Sequence, residues 1–275
     1  MIDIGQLKTA DIKALLEQNP DDVMALLQAM KEDRRLSVQK LADTYIRRKM
    51  KEEAERERVM HMYSLETAYY NDGIYHVAGI DEAGRGPVAG PVMVAAVILP
   101  PYWECPGLND SKKLSAAKRD ALYDKIMAEA VAVSCVAKSE LEIDALDIYH
   151  ATMQGMYEAA AGLAVPAEAV LIDAMPLKDL TVPHQSVVHG DSQSASIAAA
   201  SIIAKVTRDR VMMEYDEAYP QYGFAVHKGY LTQRHGYPGA PLVPVQVQVA
   251  DAYRANIFLH ASYSLGQVRQ DESHF

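Results

Sequence analysis

Apolar and polar positions follow two regimes that meet near residue 75. Before it, apolar residues recur at helical spacing. Asp11-Ile-Lys-Ala-Leu-Leu-Glu and Asp21-Asp-Val-Met-Ala-Leu-Leu-Gln-Ala-Met each open on acids and predict short helices. Ser37 is placed to cap a longer helix through Met50. Lys51-Glu-Glu-Ala-Glu-Arg-Glu-Arg58 extends it with strong helix formers, a charge run that usually marks a solvated face. Residues 63–70 predict a last short helix that Gly73 ends.

From Tyr75 onward the pattern turns mixed. Strands are predicted at 76–82 and 91–99, then a helix from Ala116 to Ala130 capped by Ser115, and a third strand from Val131 to Ala137. Helical spacing returns over 144–162. Two more strands, Ala169–Asp173 and Ser186–Asp191, each end on an acid, and the second runs into a long helix from Ser192 rich in Ala and Ser. Small residues let such a helix lie close on a sheet. The order predicts an α/β fold: a mixed five-stranded sheet with its first strand central, flanked by helices. The organisation expected is a helical extension over 1–74, an α/β domain over 75–235 and an atypical tail over 236–275.

Composition narrows the function classes. At 275 residues and 49% hydrophobic, the chain suits one large soluble domain with an appendage. No apolar run is long enough to span a membrane and no signal peptide is visible, so a cytoplasmic place is expected. Cys105 and Cys135 form no CxxC pattern, which argues against a zinc site and a disulfide scaffold. The net charge of −10 counts against a protein that coats nucleic acid nonspecifically, but not against an enzyme that grips a few phosphates locally.

The candidate chemistry centres on Val77-Ala-Gly-Ile-Asp-Glu-Ala-Gly-Arg-Gly86. An apolar strand there ends in adjacent carboxylates, Asp81 and Glu82, whose like charges raise each other's pKa unless a cation intervenes. The glycines do not form a dinucleotide-binding turn, because Pro87 to Leu99 reads as strand and not as the helix that fingerprint requires. A solvated hairpin tip would also carry an Asp-Glu pair, but the apolar walls on both sides speak against one. Asp81, Glu82, Asp173 and Asp191 each close an apolar strand, at the sheet edge where α/β sites assemble. Asp191 also precedes a helix, whose dipole favours the ionised form. Four hard oxygen donors without cysteine or paired histidines point to one or two Mg²⁺ or Mn²⁺ ions and to phosphodiester hydrolysis.

Ile80-Asp-Glu-Ala-Gly-Arg-Gly86, Asn109-Asp-Ser-Lys-Lys-Leu-Ser115, Leu171-Ile-Asp173, Gly190-Asp191, Ala200-Ser-Ile-Ile-Ala-Lys-Val-Thr-Arg-Asp-Arg210 and His227-Lys-Gly-Tyr230 together resemble the ribonuclease HII family, in order, over about 75–235. The resemblance implies a ribonuclease H-like fold in a type-2 catalytic domain. It also implies endonucleolytic cutting of RNA in RNA–DNA hybrids, and cutting 5′ to a single ribonucleotide embedded in duplex DNA, leaving 3′-hydroxyl and 5′-phosphate ends, a step of ribonucleotide excision repair. By motif, Asp81, Glu82, Asp173 and Asp191 are expected to be catalytic and to hold the metal, while Gly84, Arg85, Gly86 and Tyr230 read the RNA–DNA junction. Backbone donors at glycines can reach a 2′-hydroxyl, the group that marks a ribonucleotide. Asn109, Ser111, Lys112, Lys205 and Lys228 are expected phosphate contacts. The partners implied are RNA–DNA hybrids and ribonucleotide-containing duplex DNA, met by a monomer.

Two features depart from the family pattern. His189 stands where a basic residue usually precedes the Gly-Asp. After His235 the family's helix and His-Arg-x-Ser-Phe segment are missing, and Pro238, Pro241 and Pro244 rule out a regular helix. A C-terminus replaced through a shifted reading frame is the expectation. Two rival readings stay open: a catalytically impaired hybrid-binding protein, and a ribonuclease HIII-type enzyme, against which Arg85 speaks.

Overall fold

A computed structural model describes residues 4–18 and 22–231 of the chain. The tail after His235, with its expected frame change, lies outside the described residues. Packing divides the chain between Arg58 and Val59.

The first unit holds helices α1 (Thr9–Glu17) and α2 (Val23–Glu32) and most of α3 (Leu36–His61). Ile12, Leu16, Leu26, Met30, Val38 and Ala42 form its core, as the helical spacing requires. The Arg35 guanidinium donates to the carbonyls of Leu7, at 2.6 Å, and Ile4, at 3.0 Å, tying the chain start to α3. Helix α3 is already under way at Leu36, so Ser37 sits inside its first turn and is not its cap.

The second unit opens with the end of α3 and with α4 (Ser64–Asn71), which Gly73 closes at φ +79°. The sheet follows: β1 (Val77–Ala83), β2 (Val92–Ile98), helix α5 (Ala116–Glu129), β3 (Ala132–Lys138), helices α6 (Glu140–Leu146) and α7 (Ile148–Ala161), β4 (Ala169–Asp173), β5 (His184–Val187) and helices α8 (Ala195–Ala218) and α9 (Phe224–His227). The strand order is β3-β2-β1-β4-β5. β1 is central, antiparallel to β2 and parallel to β4, the mixed sheet that the sequence order predicts.

Alternation along the strands sorts side chains to two faces. Val77, Met93, Val97 and Leu171 pack under α8. Ala78, Ile80, Val94, Val170 and Ile172 pack against Met156 and Ala159 of α7. Helix α8 lies so close to β1 that a Cβ on Gly79 would fall 2.1 Å from the carbonyl carbon of Ser196. Gly79 is therefore the contact that lets a helix of Ala and Ser rest on the central strand, two residues before Asp81.

Two elements differ from expectation. The helix expected over 144–162 breaks at Asp147, whose backbone stands at φ 68° and whose carboxylate accepts the N–H groups of Tyr149 and His150. β5 ends at Val187, short of the predicted Asp191, because His189 turns left-handed at φ 55° and Val188 points into solvent. Among the described residues no helix is long and apolar enough to cross a membrane.

Candidate active site

The carboxyl ends of β1 and β4 bring the first three acids to one edge. Asp81 is buried, its Oδ1 accepting the N–H of Glu82 at 2.7 Å. Burial, then the charges of Glu82 and Asp173, push its carboxyl well above the ordinary range, against a hydrogen bond from Ser201. Burial likewise raises Glu82, while Arg85 pulls it down through an ion pair at 3.2 Å. The second oxygen of Glu82, Oε2, is buried with no hydrogen-bond partner. Asp173, at the end of β4, accepts the N–H of Gly190 on Oδ1 at 2.7 Å.

Asp191 reaches the same edge by another route. It sits in a short 3₁₀ turn, Gly190–Ser192, between β5 and α8, and does not close a strand. Its carboxyl is pushed up to about 6, by burial first and then by Asp110 and Asp173, so burial and the neighbouring acids outweigh the helix dipole expected to keep it ionised. Helix α8 begins only at Ala195, capped by the Ser194 hydroxyl, which accepts from Ile197 at 3.1 Å.

The loop 109–113 supplies the other wall. Lys112 Nζ stands 3.8 Å from Asp191 Oδ2, exposed to solvent. Burial works against its charge, but Asp191, Asp81, Asp110 and Asp173 together hold its pKa up. Lys112 thus faces the acids directly, a position beyond the phosphate role expected of it. Ser111 is buried and bonds Ser201 at 2.8 Å, so its hydroxyl points into the cluster. Asn109 accepts the N–H of Asp110 at 2.9 Å.

The remaining expected contacts fall in two groups. Arg85 and Gly86 are exposed on the turn after β1, and Gly84 there has φ +121°. A Cβ on Gly86 would stand 3.5 Å from Cε1 of Tyr230, so the exposed tyrosine ring lies beside that turn. Lys205 is paired with Asp209 at 2.7 Å. Lys228 donates to the carbonyl of Ala225 at 2.8 Å from a left-handed backbone, φ 51°.

Comparison with known proteins decides the family. Residues 78–238 match the family described as Ribonuclease HII, and residues 8–70 match the Ribonuclease HII N-terminal domain. The chain is 50% identical over 215 residues to a Ribonuclease HII of Bacillus cereus, covering 78% of this chain and 82% of that protein. To the Ribonuclease HII of Geobacillus thermodenitrificans it is 48% identical over 230 residues, covering 84% and 88%. The chain belongs to the ribonuclease HII family. A solved ribonuclease H2 from Pyrococcus horikoshii is 24% identical, with a TM-score of 0.48 over 57% of this chain and 81% of that one; the assignment rests on the sequence matches. Ribonucleases HII are hydrolases, endonucleases that act on RNA–DNA hybrids.

Three residues of this ribonuclease HII escape sequence reasoning. Asp110 shares a hydrogen bond with Asp191, yet it reads as one polar residue in a polar loop. Ser201, on α8, touches both Asp81 and Ser111 but hides among small residues. Glu66 of α4 is fully buried and takes hydrogen bonds on Oε1 from the Ser194 hydroxyl at 2.6 Å, the Ser196 N–H at 3.0 Å and the Ser196 hydroxyl. It anchors the first turn of α8 directly after the Asp191 turn, and only its place in an apolar helix face hints at burial.

Proposed function

We propose that this ribonuclease HII cuts on the 5′ side of a single ribonucleotide in duplex DNA as well as within RNA–DNA hybrids, leaving 3′-hydroxyl and 5′-phosphate ends. Asp81, Glu82, Asp173 and Asp191 would hold one or two Mn²⁺ or Mg²⁺ ions. Among the described residues, no three His, Cys, Asp or Glu side chains stand in ready metal-ligating geometry. The donor set nevertheless fits a hard cation. All four donors are carboxylates, Glu82 Oε2 is buried without a partner, and three of the acids have pKa values raised first by burial and then by neighbouring acids. Bound there, the ions would supply Lewis acidity to the attacking water and to the leaving oxygen.

The chain's own residues do the rest. Lys112 presents its ammonium beside Asp191, where it can meet the scissile phosphate. Ser201 and Ser111 hold the Asp81 side of the cluster, and the Gly190 N–H orients Asp173. Gly84-Arg85-Gly86 and Tyr230 would read the junction, the backbone reaching the 2′-hydroxyl and the ring pressing on the next sugar. Lys205, Lys228 and Asn109 would touch flanking phosphates.

The observation that carries this reading is the Tyr230 ring beside Gly86, on the turn that leaves the Asp81-Glu82 pair. Excision of misplaced ribonucleotides by a cytoplasmic monomer follows as the cellular role, and the free thiols of Cys105 and Cys135 accord with a reducing compartment. The test is cleavage of a DNA duplex holding one ribonucleotide, with Mn²⁺ or Mg²⁺ and with chelator, beside an all-DNA duplex. Metal-dependent cutting 5′ to the ribonucleotide alone is expected. Cutting of the all-DNA duplex, or cutting unaffected by chelator, overturns the reading.

A further inference from the structure

The motif Ala200–Arg210 contains a buried cation that no step above uses. Arg208 of α8 is 1% exposed. Its Nε donates to the carbonyl of Pro91 at 2.9 Å, Nη2 to the carbonyl of Ala89 at 3.0 Å and Nη1 to the carbonyl of Lys228 at 2.8 Å. Among the described residues no carboxylate stands within ion-pair distance of it. A guanidinium buried against neutral carbonyls is costly compared with an apolar side chain of similar size. What the charge does here is hold loop backbone, and a planar fork can hold three carbonyls at fixed angles where an ammonium cannot.

The carbonyls it holds belong to two loops distant in sequence. Ala89 and Pro91 close the loop that begins with Gly84-Arg85-Gly86, and Lys228 begins the turn that carries Tyr230. The loops also share a main-chain hydrogen bond, from the Val88 N–H to the Gly229 carbonyl at 3.0 Å. The glycines record how tightly both lie on the guanidinium. A Cβ on Gly84 would stand 2.7 Å from Arg208 Nε and 2.4 Å from the Pro91 carbonyl oxygen. One on Gly90 would stand 3.1 Å from Nη2. One on Gly229 would fall 2.1 Å from the Ala89 carbonyl oxygen and 3.3 Å from Nη2. All three glycines have positive φ, so neither space nor backbone admits a side chain.

We propose that Arg208 is a positioning residue for substrate discrimination. It touches no substrate, but by clamping the Gly84–Pro91 loop to the Lys228–Tyr230 turn it sets the spacing between the Gly86 backbone and the Tyr230 ring, and with it the selection of a lone ribonucleotide. The inference rests on the reading of Gly84-Arg85-Gly86 and Tyr230 as the junction reader.

The test uses the full chain and two substrates: a DNA duplex with one ribonucleotide, and a continuous RNA–DNA hybrid that offers many cutting positions. Arg208→Lys, which keeps the charge and loses the fork, is expected to lower kcat/KM on the single-ribonucleotide duplex about tenfold more than on the hybrid. In the double variant Arg208→Lys/Tyr230→Ala, selectivity should be no worse than in Tyr230→Ala alone, because both act through one contact. Equal losses on both substrates, or losses that add in the double variant, overturn the proposal. Should Arg208→Lys fail to fold, Arg208→Gln removes the buried charge and keeps a planar amide that can donate to only part of the carbonyl set. The same selective loss is expected there, and an unselective one overturns the proposal. If the wild-type enzyme cuts the hybrid but not the single-ribonucleotide duplex, the junction reading fails and takes this inference with it. If the wild type cuts both and Arg208→Lys retains the same ratio, only the role of Arg208 fails.

Discussion

The backbone N–H of Gly190 donates to Asp173 Oδ1 at 2.7 Å, joining the end of β4 to the turn that carries Asp191. One hydrogen bond thus fixes two carboxylates that come from different strand connections. A Cβ on Gly190 would stand 2.6 Å from Ile197 Cδ1 and 3.4 Å from Asp173 Oδ1. Gly190→Ala should therefore tilt the turn while the end of Ile197 gives way. We expect a stability loss of about 1–2 kcal/mol, and a fall in kcat larger than that loss explains. Urea denaturation alongside single-turnover cleavage checks both; unchanged kcat would show that the hydrogen bond does not govern the site.

Raised acids make the metal-free fold sensitive to pH. Asp81, Glu82 and Asp191 keep protons in the folded chain that the unfolded chain releases earlier, Asp191 up to about 6. Their contribution to stability is full below the unfolded carboxylate range and fades as pH rises through the folded values. In chelator, Asp191→Asn should therefore gain melting temperature relative to wild type as pH rises from about 4 to about 6.5. Added Mn²⁺ should raise the wild-type melting temperature more at the higher pH. A melting difference between the two proteins that is flat with pH would show that Asp191 titrates normally.

Asp81→Asn removes a charge that the fold tolerates poorly. Cleavage should fall by about a hundredfold or more, near 3 kcal/mol of barrier, while duplex affinity changes little. The melting temperature in chelator should hold or rise, since an amide carries no charge to desolvate. Calorimetry with the hybrid and a chelated melt separate the two effects. A variant that is both inactive and unstable would mark Asp81 as structural.

Gly79 admits no side chain, because a Cβ would meet Ser196 and Ile197 backbone atoms at 2.1 and 2.2 Å. Gly79→Ala should push α8 off β1 and cost about 3 kcal/mol or more. Chemical denaturation reads this directly; a loss under about 1 kcal/mol would mean that the helix slides freely on the sheet.

Much of the fold was legible because alternation is a strong signal. The strands predicted from side-chain type at 76–82 and 91–99 lie at Val77–Ala83 and Val92–Ile98, and order along the chain placed β1 at the centre. Asp81 and Glu82 stood out because two charges ending an apolar run need a reason. Where the reading missed, the local signal pointed elsewhere. Val187-Val188 extends the apolar look of β5, yet Val188 is exposed and His189 turns the chain. The break between α6 and α7 depends on a positive φ at Asp147, which composition does not reveal. Asp110 is polar among polar residues, and only the fold brings it to Asp191. Ser111 is expected from its motif to meet a phosphate, and only the fold reveals that its hydroxyl is buried against Ser201.

The parallel pairing of β1 with β4, Val77 opposite Ala169 through Ile80 opposite Ile172, also sets when the proposed site can assemble. Asp81 and Glu82 leave the ribosome long before Asp173 and Asp191, and nothing local can substitute for the later pair. Such a distant pairing closes slowly, after the β1–β2 hairpin is available. In a growing chain the Asp-Glu pair therefore stands at a hairpin end, and the proposed four-acid site is assembled only once synthesis has passed β4 and the Asp191 turn.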